Sequence, residues 1–267
     1  MVKKLFRQEM NYYVRSLLPV YIILLGVALM GRIIQIFESD SWVYDTVSIS
    51  AGVAYGVAIV ATLGLSVLFC IVRYYKNMFT GEGYLTLTLP VKYSTHLKVK
   101  LGAALATILV SVVAVLLSLV VFLTTDWLVE LWKAAAYIWN DVAKVLGVHL
   151  GLYALEFVLL VLVALAMEIL LFYMCVSLGQ TAKKNRVLAA VGIYFGIYLA
   201  TQILMTVLII VLNFNVELFQ SIFSWIELHP RAAVHVLLLV AVAFYGLLSL
   251  GMYFISRRVL YKRLNLE

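Results

Sequence analysis

Six long apolar runs dominate the pattern of hydrophobic and polar positions along the chain. A helix needs about 20 apolar residues to cross about 30 Å of hydrocarbon, and each run is about that long or longer. Strands that span a membrane alternate instead, over about ten residues. The pattern therefore predicts six membrane-spanning helices, at approximately residues 17–36, 47–72, 99–123, 151–178, 187–212 and 233–255.

The composition supports an integral membrane protein. Hydrophobic residues make up 65% of the chain and charged residues 12%, whereas a soluble domain is about a quarter charged. The net charge is +7, which in a soluble protein would suggest nucleic acid as a partner. Here the basic residues lie between apolar runs and form no soluble face. We therefore expect an all-α membrane protein that does not bind nucleic acid.

The distribution of Lys and Arg predicts the orientation. Only Arg32, Lys133, Lys144 and Arg231 fall on one side, so sixteen of the 20 Lys and Arg residues fall on the other. Short loops rich in Lys and Arg stay in the cytoplasm. Both termini and residues 73–98 are therefore predicted to be cytoplasmic.

Three segments do not read as spans. Residues 1–16 have an apolar stripe beside a basic stripe, which predicts a helix lying on an anionic inner leaflet. Residues 124–150, on the outer side, contain a second amphipathic helix that either rests on the leaflet or covers a transport path. Residues 213–232 are rich in aromatic side chains and either lie at the outer surface or dip back into the membrane.

Several catalytic motifs are missing from the sequence. It contains no phosphate-binding loop, no His-Glu-x-x-His pattern and no Gly-x-Ser-x-Gly elbow. Cys70 and Cys175 both fall in apolar runs and have no zinc-binding spacing. The first apolar run is too long for a signal-peptide core. We therefore expect no cleaved signal, no metal site, no cofactor and no enzyme activity in this chain.

Glu168 is the one acid deep in a predicted span. A carboxylate in hydrocarbon is costly, so it is either a proton or cation site or a group that is protonated or hydrogen-bonded at a helix interface. Glu156 lies about 120° around the same helix and near its outer end. The sequence therefore offers no clear partner at depth, and both interpretations stay open.

The second and fifth predicted spans carry small residues four positions apart, together with scattered polar groups. Small residues let helix backbones approach closely, so these positions are candidates for packing within or between subunits: Gly52, Gly56, Gly192 and Gly196. A polar group in a span either bonds back to its own helix or lines a wet path. The candidates for such a translocation path are Thr62, Ser66, Thr201, Gln202 and Thr206.

The predicted cytoplasmic loop between the second and third spans is the most unusual connection. Residues 73–91 read RYYKNMFTGEGYLTLTLPV, a basic and aromatic turn followed by Gly-Glu-Gly and a Leu/Thr alternation. These apolar side chains need a surface to bury against. With six spans, cytoplasmic termini and an amphipathic N-terminal helix, the chain resembles the type-2 permease subunits of bacterial ATP-binding-cassette (ABC) transporters.

The resemblance implies a fold, partners and a location. The permease would lie in the bacterial cytoplasmic membrane and pair with a separate ATPase subunit, which binds ATP and Mg²⁺. Two permease chains, identical or homologous, would form the pore with spans two and five near the dimer axis, and residues 213–232 would correspond to short re-entrant outer helices. The second-to-third loop would dock on the ATPase through a coupling helix. Its implied contact positions are Tyr75, Lys76, Phe79, Glu82, Gly83 and Tyr84.

The family leans towards export, and the apolar walls favour an amphipathic or hydrophobic cargo. Two other functions remain open from the residues alone. One is a proton-coupled secondary transporter that uses Glu168. The other is a membrane scaffold that recruits a cytoplasmic partner through the same loop without transporting anything.

Overall fold

The structure is a computed structural model of the full chain that describes residues 2–37, 40–81, 83, 93–147 and 150–262. Within these ranges it defines eight α-helices and no strand. The helices are α1 (Val2–Ile36), α2 (Trp42–Phe79), α3 (Tyr93–Phe122), α4 (Thr125–Leu146), α5 (Leu150–Gly179), α6 (Arg186–Phe214), α7 (Val216–Leu228) and α8 (Pro230–Lys262).

Six of these helices are long and apolar enough to cross a membrane: α1, α2, α3, α5, α6 and α8. This confirms the predicted number of spans on length and composition. The chain is thus a multi-pass membrane protein, and the part of it that the structure describes is all-helical. The cytoplasmic position of the termini stays a prediction.

Helix α1 differs from the expected surface helix followed by a span, because it passes residue 16 without a break. Its 35 residues extend about 52 Å at 1.5 Å per residue, well beyond a hydrocarbon core of about 30 Å. One buried stripe runs from Glu9 to the end of the helix at helical spacing: Glu9, Tyr13, Leu17, Leu24, Ala28 and Gly31. Residues 9–16 therefore contribute to the same buried face as the apolar run that follows them.

The chain forms two compact units. The N-terminal unit comprises residues 1–74 and 94–140, and the C-terminal unit comprises residues 75–93 and 141–267. The N-terminal unit has a core of Leu24, Ala28, Tyr55 and Val115, contributed by α1, α2 and α3. The Tyr55 hydroxyl lies 2.8 Å from Ser118 Oγ, so a polar contact also joins α2 to α3.

The C-terminal unit is built on α5, which packs against α6 and α8. The turn between α5 and α6 is tight at Gly179, where an added Cβ would stand 2.6 Å from Ala190 Cβ and 2.8 Å from the Ala190 backbone. Asn185 takes a left-handed φ of 52°, and its carbonyl accepts the Ala189 N–H at 2.9 Å. Glycine is therefore required where α6 approaches the end of α5.

The two segments predicted to lie on the outer side both contain helices. Helix α4 realises the predicted amphipathic helix, and its residues Trp127, Trp132 and Trp139 are all more than half exposed on the chain. Residues 213–232 contain the end of α6, all of α7 and the start of α8. Their relation to the outer leaflet stays a prediction.

Candidate functional site

The predicted docking segment begins on α2, which continues to Phe79 rather than ending near residue 72. Lys76 is exposed and Tyr75 is half-buried, so both present surface to a partner. Phe79 is only 6% exposed. It therefore contributes to packing within the chain, and Lys76 is the better probe of an external contact.

The segment turns directly after α2. Gly81 and Gly83 are both helical, and the Gly83 N–H donates to the Thr80 carbonyl at 2.7 Å. Gly83 is buried. The other two predicted contact positions, Glu82 and Tyr84, lie outside the described residues.

A basic concavity of about 690 Å³ lies beside Tyr75 in the C-terminal unit. The α5–α6 turn and the first turn of α6 supply its other lining residues, Lys183, Lys184, Asn185, Arg186, Val187 and Leu188. Lys183 and Lys184 are exposed. Sequence reasoning used these cations only for orientation, although three basic residues next to a helix start were a visible signal. The structure places them next to one end of the predicted docking segment.

A buried ionic triad joins three helices of the N-terminal unit. Arg73 Nε on α2 donates to Glu9 Oε2 on α1 at 3.1 Å, and Lys100 Nζ on α3 donates to Glu9 Oε1 at 3.0 Å. The side chains of Glu9, Arg73 and Lys100 are 9%, 10% and 3% exposed. Sequence reasoning missed Glu9. The available signal was an acid spaced four residues from Tyr13 and eight from Leu17, on the face that packs inward.

Two candidates for the translocation path lie in the N-terminal unit and are buried there. Thr62 donates to the Ala58 carbonyl at 2.7 Å, and Ser66 donates to the Leu63 carbonyl at 2.7 Å. Both side chains are at most 2% exposed. These hydroxyls are satisfied by their own helix, and a role in a path stays a prediction.

The other three path candidates lie on the exposed surface of α6. Thr201 and Thr206 donate to carbonyls of their own helix. The Gln202 amide donates to the Tyr198 hydroxyl at 3.3 Å, which uses one of its two donor hydrogens. A Gln amide on the outside of an apolar helix favours a polar partner or a wet path there.

The four glycines predicted to mediate helix packing have open space around them. Apart from the backbone of its own helix and its chain neighbours, nothing in the described part of the chain lies within 4 Å of a Cβ added at Gly52, Gly56, Gly192 or Gly196. Among the described residues these glycines therefore mediate no close approach of helices. It stays a prediction that these glycines pack against a second chain.

The acids of α5 differ from the sequence-based picture. Glu168 is exposed, and among the described residues it has no ion pair. Glu156 is 7% exposed, and both of its carboxylate oxygens lie 2.9 Å from His235 Nδ1 on α8. The Tyr153 ring stacks on His235 at 4.0 Å, and its hydroxyl donates to the Arg231 carbonyl at 3.0 Å. Of the two acids on α5, Glu156 is thus the one with an observed partner.

The comparisons with known proteins assign no family to this chain. Comparison with protein-family models, curated proteins and solved structures found no match. Within the described residues, no group of three or more His, Cys, Asp or Glu side chains is arranged to hold a metal ion. The resemblance to type-2 permeases therefore depends on residues 73–91 and on the order of the spans.

Proposed function

We propose that the chain is the membrane-spanning permease subunit of an ATP-driven ABC transporter that exports an amphipathic or hydrophobic substrate. It works with a separate ATPase subunit, which binds ATP and Mg²⁺, and with a second permease chain in the bacterial cytoplasmic membrane. Six apolar helices support the membrane part of this proposal. The end of α2 supports the partner.

The observation that carries the proposal is the surface at the end of α2. Lys76 is exposed on this end, and Tyr75 lines the same basic concavity as Lys183 and Lys184. A partner that binds here needs acidic groups facing the three lysines. We expect those groups on the ATPase subunit.

The mechanism follows from this contact. ATP brings two ATPase subunits together, and the partner bound to Lys76 and Tyr75 displaces the end of α2. ATP drives this change only if the ATPase binds the two permease states with different affinity. Residues 75–84 transmit that difference, and a path between the two permease chains opens outward.

The test is a mild-detergent pull-down of the chain from its native membrane. We expect a stoichiometric soluble subunit with a phosphate-loop ATPase to copurify. Reversing two exposed charges, in Lys76→Glu with Lys183→Glu, should reduce its recovery at least about tenfold, because opposed like charges cost several kcal/mol. Phe79 is avoided because truncating a buried ring also disturbs folding.

The matched control is Lys133→Glu with Lys144→Glu on α4, which changes the net charge equally. Normal recovery with this control and loss with the first pair would support the docking surface. Equal loss with both pairs would contradict the location. If the folded chain purifies without any ATPase subunit, that result would contradict the transporter proposal itself.

A proton-coupled secondary transporter is the second candidate, favoured by the exposed carboxylate of Glu168 deep in α5. The discriminating variant is Glu168→Gln, which keeps the size of the side chain and removes its charge. A large loss of gradient-driven uptake in vesicles that lack ATP would favour this candidate. Unchanged ATP-dependent transport would favour the permease.

A further inference from the structure

One face of the first turns of α1 forms the floor of a groove of about 720 Å³ in the N-terminal unit. The lining residues that come from α1 recur every three or four positions, which places them on one side of the helix. Arg73 of α2 contributes a wall. The lining residues are Lys4, Arg7, Gln8, Asn11, Tyr12, Arg15, Ser16 and Arg73.

The groove carries four cations and no acid among its lining residues. Lys4, Arg7 and Arg15 lie along the floor, and Arg73 lies at the side. Gln8, Asn11, Tyr12 and Ser16 add amide and hydroxyl donors. Four like charges along one concavity repel each other, so an anion bound there removes an unfavourable interaction as well as forming new hydrogen bonds.

The Arg73 side chain is already held in place. Its Nε donates to Glu9 at 3.1 Å, and its guanidinium carbon lies 4.1 Å from the centre of the Tyr12 ring. The carboxylate of Glu9 also accepts from Lys100 at 3.0 Å, so it is shared between two cations. A guanidinium fixed in this way loses little freedom when an anion binds to it.

The position of the groove along α1 selects the ligand. Its last lining residue is Ser16, and the first long apolar run of the sequence begins at Leu17. The groove therefore ends where the membrane-crossing part of α1 begins, at the depth of lipid headgroups. The headgroup phosphate of an anionic phospholipid has the matching charge, hydrogen-bonding capacity and depth.

We propose that this cationic groove is a binding site for the phosphate-bearing headgroup of an anionic phospholipid. The site does not rest on the proposed transport function, since none of its lining residues is a proposed docking or path residue. Bound lipid holds Arg7 and Arg15 beside Arg73. It thereby ties the packing of α1 against α2 to the composition of the surrounding leaflet.

The test uses the purified full chain in nonionic detergent, titrated with dioleoyl phosphatidylglycerol or dioleoyl phosphatidylcholine and followed by native mass spectrometry. A parallel titration adds inorganic phosphate. We expect retention of the anionic lipid over the zwitterionic one. We expect Arg7→Gln with Arg15→Gln to weaken that retention about 30-fold, corresponding to about 1 kcal/mol for each basic residue near the surface.

The matched control is Arg257→Gln with Arg258→Gln, two adjacent exposed arginines near the end of α8. This control makes the same chemical change on the side predicted to be cytoplasmic, and it should leave lipid retention unchanged. Both double variants are checked for an unchanged unfolding temperature. If Arg7→Gln with Arg15→Gln misfolds, the single substitution Lys4→Gln takes its place.

Three results would overturn the proposal. Equal retention of both lipids would show that the groove does not select an anionic headgroup. Equal weakening by the control pair would assign the effect to general surface charge. Displacement of bound lipid by inorganic phosphate at equal concentration would reassign the groove to a soluble phosphate-bearing ligand.

Discussion

Replacing Glu9 by Gln tests whether the ionic triad holds the N-terminal unit together. The substitution keeps the shape of the side chain and removes the charge that Arg73 and Lys100 share. It leaves two cations close together with only a neutral amide oxygen between them. We therefore expect α1 to separate more readily from α2 and α3.

The burial of the three side chains decides the size of the effect. An ion pair on the surface contributes less than about 1 kcal/mol. Removing one partner from a buried pair costs about 3–5 kcal/mol, because a buried charge is left uncompensated. At 3–10% exposure the triad belongs to the second class. We expect about 3 kcal/mol, since Arg73 keeps its contact with the Tyr12 ring and Gln keeps an acceptor.

The two cysteines report on the two units separately. Cys70 of the N-terminal unit is 2% exposed and Cys175 of the C-terminal unit is 3% exposed, so each reacts only when its surroundings open. A cost of about 3 kcal/mol raises the open population roughly 100-fold. N-ethylmaleimide labelling, resolved by mass spectrometry of peptides, should therefore speed up about 100-fold at Cys70 and stay unchanged at Cys175.

Two further variants sharpen the result. Glu130→Gln removes an exposed carboxylate from α4 and should leave both labelling rates unchanged. Adding Lys100→Met to Glu9→Gln removes one uncompensated cation and should restore part of the protection. An unchanged rate at Cys70 in Glu9→Gln, with the protein folded, would refute the assignment of the triad as a stabilising contact.

Two other predictions concern the C-terminal unit. Gly179→Ala should destabilise this unit by about 1–3 kcal/mol, because the new methyl overlaps Ala190. The labelling rate of Cys175 should therefore rise. The control is Gly251→Ala, at a position with nothing within 4 Å of the added Cβ, which should leave that rate unchanged. Glu156→Ala should cost about 1.5–3 kcal/mol, because a charged hydrogen bond to His235 is lost. A double-mutant cycle with His235→Ala measures their coupling by thermal unfolding, and strictly additive effects would contradict the pair.

The six spans could be predicted because a continuous apolar run is a local property of the sequence. The inward packing of residues 9–16 could not be predicted, because polar positions on an amphipathic segment are normally interpreted as facing water. Glu9 instead faces inward, and its partners Arg73 and Lys100 lie 64 and 91 positions away. The periodicity of apolar and polar residues cannot predict a contact between positions so far apart in the sequence.

The same limit applies to the candidate site residues. The sequence analysis assigned no role to His235, whose partner Glu156 lies 79 positions away. For the hydroxyl of Thr62 the sequence allows a bond to its own helix or a place in a path; the bond to the carbonyl four residues earlier is observed, and the path role stays a prediction. Hydrogen bonds within one helix could thus be predicted from the sequence as one of two alternatives, whereas pairs between distant positions could not be predicted.

The long separations within the triad also constrain how the protein is made. Glu9 leaves the ribosome 91 residues before Lys100, which at 5–20 residues per second is an interval of roughly 5–18 s. During that time α1 has no complete set of partners, and Glu9 has at most one of its two cations, because Arg73 follows it by 64 residues. The N-terminal unit therefore finishes assembling only after α3 has been synthesised, and the insertion machinery must accommodate α1 until then.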